Sequence, residues 1–139
     1  MPESVLKVTE INHVVLHVAN LERSRRFYTE VLGFEDRTLK VNPGQATSPH
    51  QAMSFLLGGS QGLDLFEVPE GDVHGGEEMN HMALSVQAAD IAEVSAALKK
   101  AGIEVSGWTP RNTVFISDPD GHRIEILPRT ANVRALDDD

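Results

Sequence analysis

Eight residues near the start of the chain, Ile11-Asn12-His13-Val14-Val15-Leu16-His17-Val18, return 68 positions later as Met79-Asn80-His81-Met82-Ala83-Leu84-Ser85-Val86, with Asn-His, Leu and Val in the same places. A duplicated module has to solve one packing problem twice, so this repeat constrains the fold more than any other feature. After each octet come a helical segment, a Gly followed by an apolar residue and Glu (Gly33-Phe34-Glu35 and Gly102-Ile103-Glu104), and then strand signals. Late in each half, Gly62-Leu63-Asp64-Leu65-Phe66 matches Arg123-Ile124-Glu125-Ile126-Leu127 at an offset of 61. Each half therefore reads as strand, helix and about three strands, in modules of about 9–70 and 79–128.

The first helix is expected from Leu21 to Leu32, capped by Asn20, burying Leu21, Phe27, Tyr28, Val31 and Leu32 and ended by Gly33. The second has Asp90 as its cap, with Glu93 completing a capping box. Ile91, Val94, Leu98 and Ala101 form its apolar face, and Gly102 stops it. Gly58-Gly59-Ser60-Gln61-Gly62 and Asp118-Pro119-Asp120-Gly121 each separate two apolar runs and predict hairpins. Val41 to Gln51 reads as a loop, Glu70 to Glu78 as an acidic linker, and Thr130 to Asp139 as a loose acidic tail.

A chain of 139 residues has room for one domain holding both modules. It has no Cys, which excludes disulfides and thiolate chemistry and confines any metal to nitrogen and oxygen ligands. With 21 Asp and Glu against 12 Lys and Arg, the net charge is −9, which disfavours nucleic acid and anionic lipid as partners. No apolar run is long enough for a membrane span and Met1 to Glu10 lacks the pattern of a signal peptide, so a cytoplasmic location is the default expectation.

His13 and His81 are equivalent in the two copies, as are Asp64 and Glu125. If the copies pack about an approximate two-fold axis, two imidazoles and two carboxylates can converge as a divalent-metal site. Strand alternation puts His17 on the face of His13 and Ser85 on the face of His81, bordering the same cavity. A carboxylate inside an apolar strand requires a cation or strong hydrogen bonds, and a metal would supply the cation. Asp64 and Glu67 face opposite sides of one strand, and register favours Asp64 as the inward member. His122 follows a turn glycine and is expected to face solvent, while His50 and His74 read as loop surface. Tyr28 and Trp108 read as core and rim packing, and Arg25 and Arg26 as the solvated side of the first helix. There is no phosphate-binding glycine loop, nucleophile elbow or Cys nucleophile.

Asn12 to Val18, Phe27-Tyr28-Thr29-Glu30-Val31-Leu32-Gly33-Phe34, Asn80 to Val86 and Asp118-Pro119-Asp120-Gly121-His122-Arg123-Ile124-Glu125 resemble the vicinal oxygen chelate superfamily of glyoxalase I, methylmalonyl-CoA epimerase, extradiol dioxygenases and fosfomycin resistance enzymes. The resemblance runs from about Thr9 to Leu127. It implies an α+β fold of two paired βαβββ modules, forming a curved eight-stranded barrel-like sheet around a metal, usually in a homodimer.

By the same resemblance His13, His81 and Glu125 are ligands to one divalent ion, and Asp64 holds the fourth-ligand position of glyoxalase I and the epimerases. Nickel, cobalt, zinc, manganese and Fe(II) all accept such a set. Phe115 stands where extradiol dioxygenases and fosfomycin transferases have Tyr. His17 and Val68 replace an Arg and an Asn of glutathione-using glyoxalases, so a glutathione adduct is not supported.

The expected activity is that of a glyoxalase-type lyase or isomerase acting on a small molecule. The metal would chelate adjacent substrate oxygens and stabilise an enediolate, Glu125 or Asp64 would move the proton, and His17, Ser85 and Phe115 would line the substrate. The alternatives are a non-haem Fe(II) extradiol-type dioxygenase and a metal-free drug-binding protein of bleomycin-resistance type. Whether one chain or two build the site stays open.

Overall fold

A strand whose alternate residues are Leu16 and Val18 buries one face and leaves His13, Val15 and His17 on the other. That strand, β1 (His13–Val18), opens a computed structural model that describes residues 11–41, 52–74, 79–87, 90–109 and 113–128. The expected loop after Val41, over 42–51 and including His50, residues 75–78 of the linker, the tail over 130–139 and the side chain of Trp108 lie outside what is described.

Helix α1 (Leu21–Arg26) starts at Asn20, whose side chain accepts the Arg23 N–H at 2.9 Å. The helix does not run on regularly to Leu32. It widens into a π-helical turn over Phe27–Val31, with the Leu32 N–H reaching the Phe27 carbonyl, before Gly33 turns the chain at φ +75°. Phe27 and Tyr28, though consecutive, are both buried, and Tyr28 packs against Phe34 and Phe55.

Two residues of β2 (Glu35–Asp36) and a short helix α2 (Thr38–Val41) precede the hairpin of β3 (Ala52–Leu56) and β4 (Gly62–Glu67). A single 3₁₀ turn over Glu70–Asp72 opens the linker. The second module repeats the plan with β5 (Met82–Val86), α3 (Ile91–Lys100), β6 (Ser106–Thr109), β7 (Thr113–Ser117) and β8 (Arg123–Pro128). Asp90 caps α3 through the Ala92 N–H at 2.9 Å, Ile91 and Leu98 are buried, and Gly102 follows at φ +82°. Ala101, expected on the apolar face, ends the helix in solvent.

The strands form two four-stranded sheets of identical order, β1-β4-β3-β2 and β5-β8-β7-β6. Both predicted hairpins are present, β3–β4 and β7–β8. In each module the first and last strands pair in parallel, which sets Val15 beside Asp64 and Ala83 beside Glu125. The expected eight-stranded barrel-like sheet is not formed within the chain: among the described residues no strand pairing joins the two sheets, and neither closes on itself.

Buried residues of both modules share one hydrophobic core, and a set of hydrogen bonds from the segment around α1 to the β7–β8 turn ties them further. The Asp120 carboxylate accepts the Ala19 N–H and the Arg23 guanidinium, each at 3.0 Å, and the Ser24 hydroxyl at 3.3 Å. Tyr28 donates its hydroxyl to buried Asp118 at 2.8 Å. Burial raises the pKa of Tyr28, reinforced by the Asp118 charge, so its phenol stays a donor. Burial also pushes the Asp118 pKa upward, while His122 and the surrounding donors pull against it.

His122, expected in solvent, is buried. Its backbone N–H bonds Asp118 at 2.8 Å and its Nε2 donates to the His17 carbonyl at 2.8 Å, tying the turn to the end of β1. Removing one donor from a buried carboxylate costs about 1–3 kcal/mol. Tyr28→Phe should therefore lower the unfolding free energy in urea, followed by circular dichroism, by an amount in that range; an unchanged unfolding free energy would show that the bond does not hold the modules together.

Candidate metal centre

Parallel pairing of first and last strands brings a histidine and a carboxylate together once in each module. In the first, His13 Nε2 lies 3.9 Å from Asp64 Oδ2; in the second, His81 Nε2 lies 3.2 Å from Glu125 Oε1. The carboxylates are the more enclosed partners, 22% and 14% exposed against 47% and 34% for the imidazoles. Glu67 points away from Asp64 and accepts the Leu21 N–H at 2.9 Å, at the start of α1.

Each imidazole is oriented by the asparagine before it. His13 Nδ1 sits 2.9 Å from Asn12 Oδ1, and His81 Nδ1 sits 2.8 Å from Asn80 Oδ1. A carbonyl-type oxygen facing Nδ1 requires that nitrogen to carry the proton. In the neutral ring, Nε2 then turns a lone pair toward a carboxylate oxygen, and two acceptors face each other. A cation between them removes the conflict. With bonds of about 2.1 Å to nitrogen and oxygen, two neighbouring ligands of one metal stand about 3.0–3.4 Å apart, a range that contains the His81–Glu125 separation and falls short of the His13–Asp64 one. Asp64, one methylene shorter than Glu125, leaves the wider gap.

Glu125 is further fixed by Thr113, whose hydroxyl donates to Oε2 at 2.8 Å and leaves Oε1 toward His81. Opposite His13, Gly62 provides room: a Cβ there would stand 3.2 Å from the His13 Cβ. Among the described residues no three His, Asp or Glu side chains gather into one metal-binding group, and the four residues fall into two separate pairs, candidate half-sites of a metal centre. The half-sites lie on the open faces of their sheets, beside exposed Val15 and Phe66 in the first module.

The remaining site candidates are dispersed. His17 is exposed four residues beyond His13 and lines a cavity of about 500 Å³ with Val15, Asp72, His74 and Met79, a lining that does not include His13 or Asp64. Ser85 is exposed on β5 opposite Leu127. Phe115 pairs with Glu125 across β7–β8, and its ring meets the His81 ring edge-to-face at 5.4 Å. Asn12, Asn80, Thr113 and Gly62 were not anticipated in these positions. The recurring Asn-His pair was visible in both octets, whereas Thr113 and Gly62 acquire their roles only through strand pairing.

Residues 10–126 match the family model of the Glyoxalase/Bleomycin resistance protein/Dioxygenase superfamily. The chain belongs to this superfamily. It is 31% identical over 139 residues to the lactoylglutathione lyase of Escherichia coli O157:H7, across 89% of this chain and 96% of the relative. It is 23% identical over 137 residues to the metallothiol transferase FosB of Staphylococcus epidermidis, across 93% and 88%. Its fold resembles that of a variant of the fosfomycin resistance protein FosX from Listeria monocytogenes complexed with Mn(II) and 1S,2S-dihydroxypropylphosphonic acid, with a TM-score of 0.71, 18% identity, and coverage of 92% and 99%. These relatives include enzymes of different reaction types. Among the described residues no helix is long and apolar enough to cross a membrane.

The Asn80 contact makes a metal-independent prediction. In metal-free protein at a pH where His81 is neutral, nitrogen NMR should find its proton mainly on Nδ1, and Asn80→Ala should shift the population toward Nε2. An Nε2–H ring in the wild type would refute the assigned orientation.

Proposed function

We propose that this member of the superfamily is a metal-dependent lyase or isomerase of glyoxalase type, with each centre built from His13 and Asp64 of one copy and His81 and Glu125 of a second. The observation that carries the reading is the recurrence, on matched strands, of an imidazole Nε2 aimed at a carboxylate with Nδ1 already engaged by asparagine. The separation of the two pairs within a chain and their position on open sheet faces favour assembly between copies.

Held by His13, Asp64, His81 and Glu125, a divalent ion would serve as a Lewis acid that raises the acidity of a C–H next to the substrate oxygens. The asparagines present the two Nε2 lone pairs. Thr113 holds Glu125 in one orientation, making it the fixed carboxylate. Asp64 sits farther from its histidine and has more freedom to take a proton at Oδ2 from the substrate carbon and return it to the adjacent one. Phe115 covers one side of His81 with an apolar ring and offers no phenol hydroxyl, which disfavours the oxygenase and fosfomycin-transferase readings.

The reading is tested by metal content and by proton exchange. Protein reconstituted with Ni(II), Zn(II) or Mn(II) should retain close to one ion per chain. It should also accelerate α-hydrogen exchange of small α-hydroxy carbonyl compounds in D₂O. Glu125→Gln should weaken metal binding by about tenfold or more while keeping the fold, since disturbing even a supporting group of a metal site costs about 10–100-fold. Asp64→Asn should lower exchange more than metal content. Failure to retain metal would return the chain to the binding-protein reading, and oxygen uptake with catechols by the ferrous form would support the dioxygenase.

A further inference from the structure

The superfamily reading leaves one cation on the open face of the second module without a role. Among the described residues, Arg23, Arg25, Arg26 and Arg37 each pair with a carboxylate; Arg123 pairs with none. In a chain of net charge −9, a guanidinium left without an acid partner beside a carboxylate half-site is unusual. Its carbon sits 4.7 Å from the centroid of Phe115, the same ring that meets His81. Stacking on that ring covers one face of the guanidinium and leaves its N–H edges free, the edges that bind an oxyanion in bidentate fashion.

Position fits the same role. Arg123 and Glu125 share one face of β8, two residues and thus about 7 Å apart along the strand. The duplication makes the feature one-sided: the equivalent of Arg123 in the first module is Gly62, which the His13 side chain crowds. A substrate spanning a centre built from both half-sites would meet no side chain from this position on one side and a positive charge on the other.

We propose that Arg123 seats an anionic group of the substrate, a carboxylate or a phosphonate-type oxyanion carried one or two carbons from the chelating oxygens. This rests on the metal-centre reading for the chelating end of the molecule. The Arg123 seat fixes which end of an otherwise two-fold chelating unit faces the second module, and it selects small acids over neutral ketols.

The test uses the full chain loaded with Mn(II) and titrated by calorimetry with three probes: acetohydroxamate, which is a chelator without an anionic arm, malonomonohydroxamate and phosphonoacetohydroxamate. The wild type should bind at least one of the two anionic probes about tenfold or more tightly than acetohydroxamate, and the one preferred names the anion. Arg123→Met, which keeps an apolar contact with Phe115, should abolish that preference while leaving acetohydroxamate affinity unchanged within about twofold. Arg123→Lys should retain part of it. Equal binding of all three probes by the wild type, or a preference that survives Arg123→Met, overturns the proposal.

If no hydroxamate binds, the metal-centre reading fails separately, and the seat is then decided on metal-free protein. Titration with malonate and with methylphosphonate should shift the Arg123 Nε–H resonance saturably, and absence of a shift with both overturns it.

Discussion

The parallel pairing of the first and last strands within each module is the constraint on which the site depends. A one-residue slip of that pairing would turn Asp64 and Glu125 toward the core, where Leu63, Leu65, Ile124 and Ile126 now lie almost wholly buried. With the observed register, every apolar neighbour of the two acids stabilises the sheet, and the acids themselves stay on the face that carries His13 and His81. The helices cover the opposite faces, so packing of the core and exposure of the two half-sites follow from one arrangement of strands.

Much of this was legible because it is local. Asn20 and Asp90 cap the helices they precede, Gly33 and Gly102 end them in left-handed conformations, and the Gly-rich and Asp-Pro-Asp-Gly segments turn hairpins. The alternation of β4 was enough to separate Asp64 from Glu67, which in the structure takes the N-terminal end of α1 instead. Features that depend on distant segments were not legible. His122 looks like turn surface until His17, more than a hundred residues earlier, provides a carbonyl for its ring. The π-helical turn buries the consecutive Phe27 and Tyr28 and brings the Tyr28 hydroxyl to Asp118, ninety residues away, and no local pattern encodes that.

The two halves have diverged around a shared plan. The second holds its carboxylate closer, through the longer Glu125 side chain and the Thr113 hydroxyl, and places Arg123 where the first has Gly62. The first has Asp64 with slack, and Gly62 beside it carries no charge. In the proposed centre, matched His–carboxylate pairs flanked by unlike groups would hold a substrate in one direction, which a proton transfer between two adjacent carbons requires.

The most direct test of a centre shared between copies is complementation. His13→Ala and His81→Ala chains, each purified alone, should bind little metal. Unfolded together and refolded, they should form hybrid pairs with one intact and one doubly damaged centre, restoring about one quarter of the wild-type sites under random pairing. Metal content that stays at the average of the two separate variants would place all four ligands within a single chain and contradict the account.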